Sequence, residues 1–302
     1  MGVKCCSASE NSNRRARTQA KVNLAPTEDE ISFPTYSSSN DKLFNDLEVT
    51  YNLFSKIAFG DFVALLIKFS LDNATLEENN LSVPVISKNQ AFYRTPISID
   101  VYQSFIEQKI LKRPELYELC GKNELVGQGF TSLNLEMYKG LNIKMNQYFG
   151  DKNPERIIKG YLFPFGLLYC KSTNIEKIKF FFDLFKNENN QFVPSSDLDE
   201  FLFSLFILPS YALLSARRKL GMGGVYKISE LPDEEMKKVL DTSEFKDSKY
   251  LVTVFNSEFF ENGKKKAFTY NEFKDKFRLK NEGFGWIFNP KGIRASLEKN
   301  NV

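Results

Sequence analysis

The 302-residue chain contains no histidine, which removes every mechanism built on a Ser–His or Cys–His pair or on a histidine-ligated metal. One tryptophan stands against 29 phenylalanines, so the bulk of any core has to come from Phe. Neither sign of charge dominates: 41 basic and 38 acidic residues leave a formal +3, too near balance for a dedicated nucleic-acid binder. No nucleic-acid-binding motif accompanies it. Long apolar runs are missing as well. The greasiest stretch, Phe201 to Leu214, contains Pro209 and two serines and is shorter than the roughly 18–20 apolar residues that spanning a bilayer needs. Cysteine is scarce. Cys5, Cys6, Cys120 and Cys170, with no signal-peptide pattern in the opening residues, are expected to be reduced thiols.

Catalytic signals are equally thin. The one glycine-rich stretch, Gly221-Met222-Gly223-Gly224-Val225-Tyr226-Lys227, follows a helical pattern rather than a strand and lacks the Gly-Lys-Ser/Thr ending of a phosphate-binding loop. It reads as a link between helices. Acidic pairs such as Asp199/Glu200 suit the starts of helices, and neither Cys120 nor Cys170 has an evident base. No catalytic residue is assigned, and the chain is not expected to be an enzyme.

What is present begins at the N-terminus, Met1-Gly2-Val3-Lys4-Cys5-Cys6-Ser7. Removal of Met1 exposes Gly2 for myristoylation. The usual pattern has Ser or Thr at the sixth position, where this chain carries Cys6. Cys5 and Cys6 are S-palmitoylation candidates, and a second lipid signal converts marginal binding into stable attachment. Lys4, Arg14, Arg15, Arg17 and Lys21 face Glu10 alone over residues 1–25, 5 − 1 = +4, a tract that anionic lipid attracts. Residues 1–40, rich in Ser, Asn, Arg and Thr, are expected to be a disordered, acylated tether holding the protein at the cytoplasmic face of a plasma or ciliary membrane.

Beyond the tail the pattern is helical. Ile175, Ile178, Phe181, Phe182 and Phe185 fall on one face, and Leu198, Phe201, Leu202, Leu205 and Phe206 on another, at the spacing of amphipathic helices. Ser196 with Asp199 reads as the cap of the second helix. Between them lies the polar stretch Lys186 to Asp197.

Phe182-Asp183-Leu184-Phe185, a 12-residue loop, and Leu198-Asp199-Glu200-Phe201 resemble an EF-hand. Leu167 to Lys179 resembles the linker entering the third hand of calcineurin-B-like and neuronal calcium-sensor proteins. The resemblance covers residues 41–280. It implies a mainly α fold of paired helix-loop-helix units, with a half at 41–145 and a half at 146–302, their loops joined by short β-bridges at the eighth loop position, here Val193. A working loop carries oxygen ligands at positions 1, 3, 5 and 12 and Gly at 6. This one has Lys186, Glu188, Asn190 and Asp197, with Gln191 at the glycine position, so Lys186 sets an ammonium where the first carboxylate belongs.

A second match ends in Phe268-Thr269-Tyr270-Asn271-Glu272-Phe273, with Glu261 at position 1, Phe268 at 8 and Glu272 at 12. Lys264, Lys265 and Lys266 crowd its centre. A third is Ile57 to Phe62, closed by Asp61 with Thr50 and Asn52 upstream. A fourth is expected around residues 151–166. The stretch from Ser98 to Glu118 adds an amphipathic helix with Val101, Phe105 and Ile106 inward.

The resemblance thus implies Glu188, Asn190, Asp197, Glu261 and Glu272 as vestigial metal positions. Calcium is the ion such loops are built for, but no cofactor is expected to occupy them. Past the last helix, Phe284, Trp286 and Phe288 form an aromatic segment with two readings: a surface for a protein partner, or a piece docked on its own domain. The leading expectation is a membrane-tethered scaffold or regulatory subunit that binds an unidentified protein. Its competitors are a genuine calcium sensor using the Glu272 loop and a structural component of a cytoskeletal or ciliary assembly.

Overall fold

In the computed structural model the described residues are 31–33, 51–72, 97–118, 122, 127–128, 131–132, 134–135, 156–157, 162–220, 244–278 and 283–299. Residues 31–302 cluster as one compact unit. The described residues are mainly helical. Gly2, Cys5, Cys6, Thr50, Cys120 and the glycine-rich stretch 221–227 lie outside the described residues.

A 3-10 turn at Tyr51–Lys56 precedes α1 (Phe59–Asp72). It occupies the place where the third match called for a ligand loop, because Phe54 and Ile57 are fully buried and coil the backbone to reach the core. Asp61 sits in the first turn of α1 and pairs with Arg113 at 3.2 Å.

β1 (Ile97–Ser98) pairs antiparallel with β2 (Arg156–Ile157), Ile97 opposite Ile157. Ser98 then caps α2 (Ile99–Phe105), its hydroxyl accepting the Val101 N–H at 3.2 Å, which satisfies a donor the helix start leaves open. α2 runs into a π-helical turn at Ile106–Ile110. Phe105 and Ile106 face inward as expected, but the third inward side chain is Tyr102; Val101 is only partly buried.

Every residue of α3 (Leu162–Tyr169) is buried, as its all-round apolar sequence requires. It packs on α1 at Gly166, where a methyl group would come within 2.9 Å of the Phe59 and Phe62 rings. Lys171 then binds the strip before α1: Phe59 N–H donates to Lys171 O and Lys171 N–H to Ile57 O, both at 2.8 Å.

After α3 come α4 (Asn174–Phe185), α5 (Ser196–Leu220, continuous through Pro209), α6 (Glu244–Phe259), α7 (Tyr270–Arg278) and α8 (Pro290–Lys299), with a 3-10 turn at Phe284–Phe288 between the last two. α4 packs on α7 and α5 on α6. The starts of α4 and α5 are both fixed locally. Thr173 and Glu176 form a reciprocal capping box at the first turn of α4, each satisfying a backbone donor near the other. At the start of α5 the hydroxyl of Ser195 accepts the Leu198 N–H at 3.1 Å, so the cap is one residue earlier than the Ser196 expected from sequence.

The α4–α5 and α6–α7 loops meet at one antiparallel bridge: Phe192 N–H donates to Phe268 O at 2.8 Å and Phe268 N–H to Phe192 O at 3.0 Å. The bridging residue is Phe192, not Val193. Burial decides between these neighbours, since Phe192 is fully buried with its ring 4.5 Å from that of Phe273, whereas Val193 is half-buried.

One short piece of the tail expected to be disordered is packed on this body. Ile31 is buried, its carbonyl accepts from Asn174 Nδ2 at 2.8 Å, and the Phe33 ring stacks on Phe288 at 6.2 Å.

Candidate functional site

The bridged loops and the aromatic segment beyond them carry the described residues singled out as vestigial metal or partner positions, Asp61 of the third match lying apart in α1. In the first loop a tight turn closes over four residues, Asn187 N–H donating to Gln191 O at 2.8 Å and Asn190 N–H to Asn187 O at 3.0 Å. Asn190 takes the left-handed conformation, φ 54°, which asparagine adopts more readily than most residues. The Asn187 carboxamide organises this loop as a ligand cluster does elsewhere: its Oδ1 accepts the N–H groups of Asn189 and Gln191, each at 3.0 Å. Sequence reasoning passed over Asn187, although an Asx turn is a known habit of this side chain. Glu188 and Asn190 are exposed and Asp197 is half-buried. The Lys186 ammonium turns back to Asp183 on α4, at 2.9 Å.

The second loop begins with a helix stop. Asn262 N–H reaches Ser257 O at 2.6 Å, a six-to-one bond of the Schellman type, and Glu261, Asn262 and Gly263 have φ of 54°, 56° and 79°. The loop ends on a capping box: Glu272 Oε2 accepts from Thr269 N–H at 2.9 Å and from its hydroxyl at 2.8 Å.

Both carboxylates expected at ligand positions of this second loop are engaged by lysines of the same unit. Lys265 Nζ lies 2.5 Å from Glu272 Oε1 and Lys276 Nζ 2.8 Å from Glu261 Oε1. The two ammonium groups also approach the Phe268 ring, at 5.5 and 5.4 Å from its centroid, where the negative face of the ring attracts them. Lys265, helped by the Thr269 donors, pulls the Glu272 carboxyl down to about 2, and Lys276 lowers that of Glu261. Among the described residues no group of three or more His, Cys, Asp or Glu side chains stands close enough together to hold a metal ion.

The aromatic segment is docked on its own domain. Phe284 and Phe288 are buried. The Phe284 ring lies 5.2 Å from Phe255 and 4.9 Å from Phe259 on α6. Phe288 lies 5.5 Å from Phe277 on α7 and 5.7 Å from Phe181 on α4. Trp286, partly buried, stacks on Phe206 of α5 at 5.3 Å. Asn289 then caps α8, its Oδ1 accepting the Lys291 and Gly292 N–H groups at 2.9 and 3.2 Å, with Pro290 at the first helical position as its fixed φ favours. Gly292 lets the helix lie directly on the turn, since a Cβ there would fall 2.8 Å from the Trp286 carbonyl oxygen.

Behind the segment, Lys177 of α4 donates to Phe288 O at 3.2 Å; burial pushes its ammonium down to about 8. Burial likewise pushes the nearby Cys170 thiol up, leaving it a poor nucleophile. No helix among the described residues is long and apolar enough to cross a membrane. No family model matches the chain, and no curated protein or solved structure matches it either.

Proposed function

We propose that this chain is a membrane-tethered scaffold or regulatory subunit of EF-hand type, which works without calcium and binds a protein partner. The observation that carries the reading is the C-terminal couple. Two helix–loop–helix units, α4–α5 and α6–α7, meet at a single antiparallel bridge, and the carboxylates at the ligand positions of the second loop are held by Lys265 and Lys276. The pairing of β1 with β2 supports a second couple nearer the N-terminus, with the unit expected around 151–166 as one member.

In calcium sensors of this kind the ion opens an apolar groove. Here the helices around the aromatic segment are arranged about rings, and an ammonium stands at each ligand-position carboxylate of the second loop. The partner-binding surface is therefore governed by packing rather than by calcium. Gly2, Cys5, Cys6 and the basic tract through Lys21 supply the membrane half of the proposal, with residues up to 30 as the tether.

Calorimetric titration of the full chain with calcium, in low salt and without magnesium, tests the first half. No heat is expected up to millimolar calcium. Micromolar binding that Glu272→Gln abolishes would replace this reading with a calcium sensor. For the membrane half, metabolic labelling with myristate and palmitate is expected to mark the chain in the membrane fraction. An unlabelled chain found wholly in the soluble fraction would remove it.

A further inference from the structure

One face of α4 holds two segments that are far apart in sequence. Asn174 donates from Nδ2 to the Ile31 carbonyl at 2.8 Å, and Lys177, three residues on and so on the same side of the helix, donates from Nζ to the Phe288 carbonyl at 3.2 Å. The two segments also touch each other. The Phe33 ring stacks on Phe288 with centroids 6.2 Å apart and planes 25° from parallel. It lies across Gly285 so closely that a Cβ there would overlap the ring. No residue but glycine fits at 285 while Phe33 is seated. Ile31, 6% exposed, completes the contact, and Ser32 between them faces solvent.

We propose that Ile31-Ser32-Phe33 is a clasp, which keeps the Phe284–Phe288 turn in its seat so that the aromatic surface beneath the turn opens only after the tail root has let go. The order follows from the stacking. Phe33 packs against Gly285 and Phe288, so lifting the turn breaks its ring contacts, whereas Ile31 and Phe33 can leave with the turn still held by Lys177. The seat is lined by Phe181, Phe206, Phe255 and Phe277, rings that suit an apolar, aromatic-bearing helix or peptide. The clasp stands on these contacts alone; its use in gating a partner rests on the function proposed above.

Hydrogen exchange of the full-length chain tests it, read at the amides of the 284–289 turn, with the Phe192 and Phe268 bridge amides as internal controls. Phe33→Ala is expected to speed exchange in the turn at least about tenfold, and Asn174→Ala about fivefold, the loss of one hydrogen bond, with the bridge amides unchanged. Trp286, the sole tryptophan, reports the same release by fluorescence. Unchanged turn protection in both variants would make residues 31–33 a passenger and overturn the proposal. So would equal loss of protection at the bridge, which would make Phe33 an ordinary core residue. If Phe33→Ala fails to fold, Asn174→Ala decides alone. A chain whose clasp opens as expected but which binds no aromatic peptide would count against the partner reading and leave the clasp standing.

Discussion

Truncating Phe192 to alanine removes the ring at the junction of the two bridged loops. That ring is fully buried and lies between 4.5 and 6.4 Å from those of Phe181, Phe182, Phe185, Phe259, Phe260 and Phe273. Truncation of a buried phenylalanine costs about 3–5 kcal/mol. Aromatic pairs add about 0.5–1.5 kcal/mol beyond area burial, which places this site at the upper end. The backbone bridge to Phe268 survives, because alanine keeps the N–H and C=O. Val193→Ala is the matched control: two methyl groups leave a half-buried position, worth about 1 kcal/mol at about 0.8 kcal/mol per fully buried carbon. Urea unfolding followed through Trp286 fluorescence and circular dichroism measures both. A lower midpoint with an unchanged slope reads as lost stability rather than a changed denatured state. A cost below about 2 kcal/mol for Phe192→Ala, or an equal cost for Val193→Ala, would refute the placement of Phe192 as the ring that ties the loops together.

Gly166→Ala should destabilise the fold by about 1–3 kcal/mol through overpacking, because the new methyl would meet the Phe59 and Phe62 rings at 2.9 Å; the same unfolding assay reads it, and a neutral result would mean α1 can slide on α3. Lys265→Met should raise the carboxyl pKa of Glu272 from about 2 while the Thr269 donors keep it below the usual carboxylate range, as a carbon-13 NMR titration would record. Because the folded-state pKa is depressed, the Glu272 contribution is fully present above the unfolded value near 4.5 and is lost as pH falls from there through about 2. The Lys265→Met chain should therefore lose less stability over that window, and an unaltered acid limb would count against the ion pair.

The helices α4 and α5 were legible because Ile175, Ile178, Phe181, Phe182 and Phe185, and then Leu198, Phe201, Leu202, Leu205 and Phe206, repeat at helical spacing. All of these side chains are buried except Ile175, at the first turn of α4, which is half-buried. The errors fall where neighbouring residues share a chemistry. Phe192 and Val193 are both apolar, and Ser195 and Ser196 can both cap, so only packing could choose between them. The 3-10 turn at Tyr51–Lys56 and the π-helical turn at Ile106–Ile110 have no sequence period of their own; each exists because tertiary burial of Phe54 and Ile110 overrides the local pattern. Ile31 and Phe33 read as tether because a few apolar residues vanish in a stretch otherwise rich in polar ones. For the aromatic segment, Phe284 and Phe288 have the composition of a core or of an interface alike, and the rings of α4, α6 and α7 supply what the sequence could not.

The Lys265–Glu272 contact has a consequence for how the loop answers its surroundings. An ion drawn from solution occupies its site according to the law of mass action, filling as its concentration rises and leaving when a chelator competes. A lysine seven residues away along the same backbone has no such dependence, because its local concentration is set by chain geometry. The charge at this carboxylate arrives with translation and cannot be dialysed away. Acylation of the amine, which removes the charge, would empty the position, placing control of the loop with covalent chemistry rather than with ion transients.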